Sequence, residues 1–301
     1  MTILTVTHKT VYRYSVPVAF GEHRFMFRPR DSHDLRLLDT ALVMSPPGQV
    51  RWLFDVFGNS IAVAEIEGEA NELAVTSSFR AQHYPLPVQA VALEPYAEHY
   101  PFSYGAEEVI DLGRTAERHY PDPEHAIDLW ARPFLDAAPD RGTLAILLAI
   151  TRAIHEQFDY SRREAIGTQD PVETLKTRSG TCRDFALFMM EAVRSLGFAA
   201  RFVSGYLYDE KLIAGGGETL VGGGETHAWV QIYLPGAGWV EFDPTNALAG
   251  SRNLIRVAVT RDPAQAIPLS GSFTGPAGSF LGMSVEVEVK AEAAPAQARA
   301  R

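Results

Sequence analysis

Residues 179–207 read SGTCRDFALFMMEAVRSLGFAARFVSGYL, and residues 226–246 read THAWVQIYLPGAGWVEFDPTN. In the first stretch, Ser179-Gly180-Thr181 makes a break. Phe185, Phe188, Met189, Ala192, Val193 and Leu196 then recur at the spacing of one helix face. Gly197 supplies the stop. Thr181 and Asp184 stand at capping-box spacing, so Thr181 is the expected N-cap and Cys182 the first helical residue. A strand near 199–208 follows. The second stretch holds HAWVQIYL at 227–234 and GWVEFD at 238–243, joined by the turn Pro235-Gly236-Ala237 and broken at Pro244.

Outward from this core, helical patterns are expected at about 107–119, 123–138 and 142–158. The last, TLAILLAITRAIHEQF, is apolar on nearly all sides and should be buried. Farther upstream the text is β: short segments near 2–14, 22–28, 35–44, 49–57, 60–67 and 72–82, rich in Val, Ile, Leu, Phe and Tyr, separated by turn residues. WLFDVF and IAVAEI meet at Gly58-Asn59-Ser60, a hairpin signal. Residues 83–106, with Pro85, Pro87, Pro95 and Pro101, read as an extended connector. Downstream, strands are expected near 254–260 and at MSVEVEVK, 283–290. The fold class expected is α+β: an antiparallel β-sandwich domain over 1–100, helices packed on an antiparallel sheet over 101–290, and a flexible tail over 291–301. The pentapeptide GGGET, at 215–219 and again at 222–226, predicts a mobile loop leading into His227.

Composition bounds the function. With 301 residues and 46% hydrophobic content the chain can bury one large core or two. A formal net charge of −10 argues against nucleic acid or an anionic membrane as partner. The opening MTILTVTHKTVYRY alternates apolar and polar residues without an apolar signal region, and no apolar run is long enough for a membrane helix, so the default location is cytoplasmic.

Cys182 is the only cysteine, which excludes an internal disulfide and a multi-thiolate zinc site. A lone cysteine is ordinarily a small buried hydrophobe. At a helix start, however, free N–H groups and the positive end of the dipole favour a thiolate and can hold an oxyanion. A thiolate nucleophile needs a base and the base an orienter. His227 opens a strand, and Asp243 closes the next one. Pairing Leu234 with Gly238 would bring His227 and Asp243 to one face of the hairpin, whereas pairing Leu234 with Trp239 would put them on opposite faces.

The two stretches quoted first resemble the core motif of the transglutaminase-like superfamily, in which a cysteine opens a helix and a histidine and an aspartate sit on successive strands. Cys182, His227 and Asp243 match those positions. FDYSRREAIGTQDPVETLKTRSG, 158–180, resembles the lead-in, and VYRYSVPVAFGEHRFMFRPR, 11–30, the β domain preceding the core in bacterial transglutaminase-like proteins. The resemblance implies a papain-like thiol enzyme: Cys182 as nucleophile, His227 as base, Asp243 as orienter, and the Cys182 N–H as oxyanion donor helped by an upstream side chain, for which Tyr160 is the candidate. Trp229 shares the face of His227 and is expected to shield it. Arg183 and Asp184, beside the nucleophile, are expected to support the cleft; Arg183 stands where many relatives carry Gln, which bears on substrate preference.

The expected partner is a peptide or protein substrate, with no cofactor. Hydrolysis is favoured over transfer of the acyl group to an amine. A non-catalytic peptide-binding module on the same fold is a second possibility, and a metal site built from the same trio, lacking the short paired spacing of usual zinc motifs, a third.

Overall fold

The computed structural model describes residues 2–163, 167–208 and 225–293. The N-terminal part is one seven-stranded antiparallel sheet. It is built from β1 (Thr2–Arg28), β2 (Leu35–Ser45), β3 (Gly48–Phe54), β4 (Ser60–Ile66) and β5 (Glu69–His83), in the order β2-β5-β1-β4-β3, with two further strands on β1. The two segments expected at 2–14 and 22–28 are one continuous strand. Its first half pairs with β5 and its second half with β4, and the register shifts between Arg13 and Val18. One apolar cluster takes Phe25 and Phe27 from the second half, Leu73 and Val75 from β5 and Ala62 and Ala64 from β4. The sheet therefore folds over on itself, and the expected sandwich is made from a single bent sheet.

The hairpin expected at Gly58-Asn59-Ser60 joins β3 to β4. Gly58 sits at φ +74°, where a side chain would be strained. Asn59 is buried there, and its amide ties the hairpin to the core sheet by donating to the Val259 carbonyl at 2.7 Å and accepting from the Val259 N–H at 2.8 Å.

Among the described residues six α-helices follow: α1 (Ala106–Leu112), α2 (Ala126–Ala131), α3 (Pro133–Ala137), α4 (Thr143–Gln157), α5 (Pro171–Thr177) and α6 (Cys182–Ser195). The segment expected at 123–138 is two helices because Pro133, which lacks an N–H, opens the second. Helix α5 lies within the lead-in stretch 158–180 and is set by Asp170, whose carboxylate caps the N–H groups of Val172 and Glu173. Two-residue strands β6 (Asp159–Tyr160) and β7 (Ser179–Gly180) pair in parallel just before α6.

The core sheet contains β8 (Ala200–Leu207), β9 (Thr226–Leu234), β10 (Gly238–Asp243), β11 (Leu248–Ala249) and β12 (Leu254–Thr260), in the order β11-β10-β9-β8-β12. Helix α6 lies on one face, where Phe185, Phe188, Met189 and Val193 join Phe202, Ala228, Val230, Ile232 and Phe242 in one core. The N-terminal sheet packs on the core sheet through Tyr206, Ile255 and Val257, which cluster with Leu4, Val6 and Phe79. Each such fully buried side chain stabilises the assembly by roughly 1.5–3 kcal/mol.

The end of the chain differs from the expected division. β13 (Leu269–Thr274) and β14 (Phe280–Ala293) return to the N-terminal sheet and pair with β1. Residues 269–290 thus lie with the first domain rather than the core, and 291–293 extend a strand instead of opening a tail. The alternation in MSVEVEVK specifies a strand but not its neighbour. The 27-residue length of β1 provides the free edge. The remainder of the tail and most of the glycine-rich loop lie outside the described residues.

Candidate active site

Thr181 caps α6 as its spacing predicts. Its hydroxyl accepts from the Asp184 N–H, and the Asp184 carboxylate accepts from the Thr181 N–H at 2.8 Å. The box uses the third helical N–H, so those of Cys182 and Arg183, at the positive end of the dipole, are left outside it. Asp184 does more than cap. Fully buried, it also accepts from Arg163 at 2.8 and 2.9 Å and from the Gln169 N–H at 2.6 Å, fixing the segment between β6 and α5 to the helix start. These bonds hold its carboxyl below the usual carboxylate range although burial pushes the other way.

Cys182 is 7% exposed, packed at the edge of the core under α6. Across from it, β9 pairs with β10 in the register Leu234–Gly238, the parity required for His227 and Asp243 to share a face. They meet: His227 Nε2 donates to Asp243 Oδ2 at 2.8 Å, both side chains fully buried. Asp243 Oδ2 also accepts from Asn246 Nδ2 at 2.9 Å, and Oδ1 from the Thr245 N–H at 2.9 Å.

The other imidazole nitrogen, Nδ1, is buried without a formed hydrogen bond. It is nevertheless not isolated, because Cys182 is close enough to act on the ring. Burial disfavours the charged imidazole. The Asp243 charge and hydrogen bond outweigh burial, Cys182 adds to them, and the pKa of His227 is pushed up to about 10. Asp243 moves the opposite way: burial would raise it, but His227, Asn246 and the Thr245 N–H hold it below its ordinary value.

Trp229 stacks on His227, with ring centroids 5.9 Å apart and planes at 26°. Its indole N–H donates to Glu241, also buried. Tyr160 pairs with Gly180 through β6 and β7, two residues from the nucleophile. Burial, followed by the electrostatic influence of Cys182 and Glu225, pushes its phenol up to about 12, so at neutral pH it carries a proton to donate. Arg183 serves elsewhere: it donates to the Pro263 carbonyl at 2.9 Å and lies 4.8 Å over the Phe202 ring, anchoring the chain that leaves the core sheet. Arg162 and Glu225 form an ion pair between the segment after Tyr160 and the residues just before His227.

The structure thus brings Cys182, His227, Asp243, Trp229 and Tyr160 together. Asn246, Arg163 and Glu241 were not singled out from sequence. Asn246 was accessible to it, because an aspartate followed by Pro-Thr-Asn is an Asx-type turn that returns side chains to the carboxylate. The partners of Arg163 and Glu241 are set by packing between segments distant in the chain.

Residues 131–244 match the transglutaminase-like superfamily, and residues 4–82 match the bacterial transglutaminase-like N-terminal region. An uncharacterised protein of Mycobacterium tuberculosis is 29% identical over 94% of this chain and 91% of its own length. A protein-glutamine gamma-glutamyltransferase of Pseudomonas aeruginosa is 36% identical over 105 residues, 34% of this chain and 16% of that enzyme. Among solved structures, a candidate cysteine protease from Cytophaga hutchinsonii superposes with a TM-score of 0.67 over 96% of this chain and 90% of its own, at 19% identity, a likeness of fold. The chain is a transglutaminase-like superfamily protein, its core joined to the N-terminal region of the bacterial transglutaminase-like proteins.

Proposed function

We propose that this protein is a thiol enzyme that opens peptide or side-chain amides through a thioester acyl-enzyme on Cys182. The observation carrying this reading is the buried His227–Asp243 contact beside a cysteine at a capped helix start. Asp243 holds Nε2 and so turns Nδ1 toward the sulfur. The thiolate adds to the amide carbonyl, forming a C–S bond. The Cys182 N–H and the Tyr160 hydroxyl stabilise the oxyanion. As the tetrahedral intermediate collapses, the C–N bond breaks and the imidazolium gives its proton to the leaving amine. Neutral His227 then takes a proton from the incoming nucleophile, which attacks the thioester and releases the sulfur.

With water as nucleophile the product is a carboxylic acid, with an amine a new amide. We favour water. Water is present at far higher concentration than any amine. Likeness to the Pseudomonas enzyme over 105 residues favours the amine as a second reading. The deciding assay incubates a peptide-amide panel with and without a primary amine and identifies products by mass. Free acid formed in both conditions, and lost in Cys182→Ala, supports hydrolysis. Predominant amine adduct at millimolar acceptor overturns it in favour of transfer.

A further inference from the structure

Between the core sheet and the N-terminal region, on the same sheet face as His227 but four residues along β9, lies a cavity of about 440 Å³ whose walls include Arg30, Asp34, Arg201, Trp239, Glu241 and Arg256. Four residues of strand place it about 13 Å from His227. The size is in the range of small-molecule sites.

Its charged groups are unequally satisfied. Glu241 Oε1 accepts from Gln231 Nε2 at 2.7 Å and from Arg256 Nη1 at 2.5 Å. Arg256 spends its other terminal nitrogen on Asp34, at 3.1 Å. Arg256 is therefore fully paired. Arg201 differs. Its Nε donates to Gln231 Oε1 at 2.7 Å, and its guanidinium carbon lies over the Trp239 ring, 4.1 Å from the centroid. Its two terminal nitrogens donate to none of the described residues, and no carboxylate among them pairs with it. Burial pulls its pKa down to about 9; Glu241 opposes this, and Arg256 and Arg30 add to it.

A guanidinium held over an indole at the wall of a cavity, with its two terminal nitrogens unpaired, is suited to two-point recognition of a carboxylate. Asp31, Asp34 and Glu241 also line the space and would oppose a second negative charge, so a monoanion fits better than a phosphate dianion. Phe57 and Leu86 offer apolar wall to whatever the carboxylate carries. We propose that this cavity binds a monocarboxylate on Arg201, presented by a small apolar acid or by the C-terminus of a peptide. The site is separate from the catalytic cleft, and the inference stands whether or not Cys182 is a nucleophile.

The test uses the full chain with Cys182 first carboxamidomethylated, so that the catalytic cleft is blocked. N-acetyl-leucine, its amide, and a tripeptide with free or amidated C-terminus are titrated by calorimetry and by tryptophan emission, which Trp239 should report. Saturable binding of an acid at millimolar concentration or below, with its amide at least about ten-fold weaker, is expected. If both acids bind, the carboxylate alone suffices; if only the tripeptide acid binds, the occupant is a peptide terminus. Arg201→Gln should weaken acid binding by at least about ten-fold. Equal binding of acid and amide, no binding of either acid, or undiminished binding in Arg201→Gln overturns the proposal. The acid–amide comparison needs no variant, so it stands even if Arg201→Gln fails to fold.

Discussion

His227 and Asp243 are joined by a 2.8 Å hydrogen bond in a fully buried setting, and the hairpin register that pairs Leu234 with Gly238 makes that bond possible. A slip of one residue would send the carboxylate to the opposite face of the sheet. Asp243→Asn keeps the shape and removes the charge. Under the proposed mechanism, amide turnover should drop by about 10²-fold or more, as when a proton-transfer group loses its proper protonation state. Steady-state kinetics on the variant checks this.

The same contact has a pH signature. His227 is raised from its ordinary 6.5 to about 10, so the stability it contributes is complete below pH 6.5 and is lost as pH rises toward about 10. Asp243 is lowered, so its share is present above the ordinary carboxylate range and is lost as the solution is acidified through its folded pKa. Thermal unfolding of the wild type should therefore show a decline between pH 6.5 and 10 that is much weaker in Asp243→Asn. Parallel curves for the two proteins would count against the buried ion pair.

Asp184 is the buried tie between the start of α6, Arg163 and Gln169. Asp184→Ala leaves Arg163 without its carboxylate partner and removes the reciprocal half of the capping box, while Thr181 still caps the helix. A loss of about 3 kcal/mol is expected, at the lower end for breaking a buried pair because the Arg163 side chain keeps 20% exposure. Urea unfolding measures it, and labelling of Cys182 by iodoacetamide should change in rate along with it.

Tyr160 supplies a protonated hydroxyl near Cys182. If it steadies the oxyanion, Tyr160→Phe should lower kcat by about 10²–10³-fold with KM and Tm nearly unchanged. A fall in Tm with unaltered kcat would instead assign the phenol to packing.

The fragment 101–301 should not fold by itself. It carries β13 and β14 without β1, their pairing partner, and exposes Tyr206, Ile255 and Val257, which pack against Leu4, Val6 and Phe79. Circular dichroism and size-exclusion chromatography of the fragment test this; a soluble, cooperatively unfolding fragment would show that the two sheets are independent.

Much of this was legible locally. Thr181 and Asp184 form the capping box that their spacing announces, and β9 and β10 occupy 226–234 and 238–243 because alternation and the Pro235-Gly236 turn leave little choice. Long-range choices were not legible. The segment 283–290 has an unambiguous strand pattern, yet nothing in its residues says that β1, far upstream in the chain, offers an edge. Arg183 illustrates the same limit. Next to the nucleophile it reads as part of the cleft, whereas its guanidinium is used by the Pro263 carbonyl, eighty residues on. Asp170 and the short helix it caps were missed because seven residues with one proline give a weak periodic signal.

The central claim is a covalent one: during turnover the acyl group resides on the sulfur of Cys182. The most direct measurement is intact-protein and peptide mass spectrometry on acid-quenched reactions with an amide substrate that the panel assay shows to be turned over. The account predicts a transient adduct of the acyl mass on the peptide containing Cys182, absent in Cys182→Ala and at least about 10²-fold slower to form in His227→Ala. Undiminished turnover by Cys182→Ala, or an adduct mapping to another residue, would contradict it.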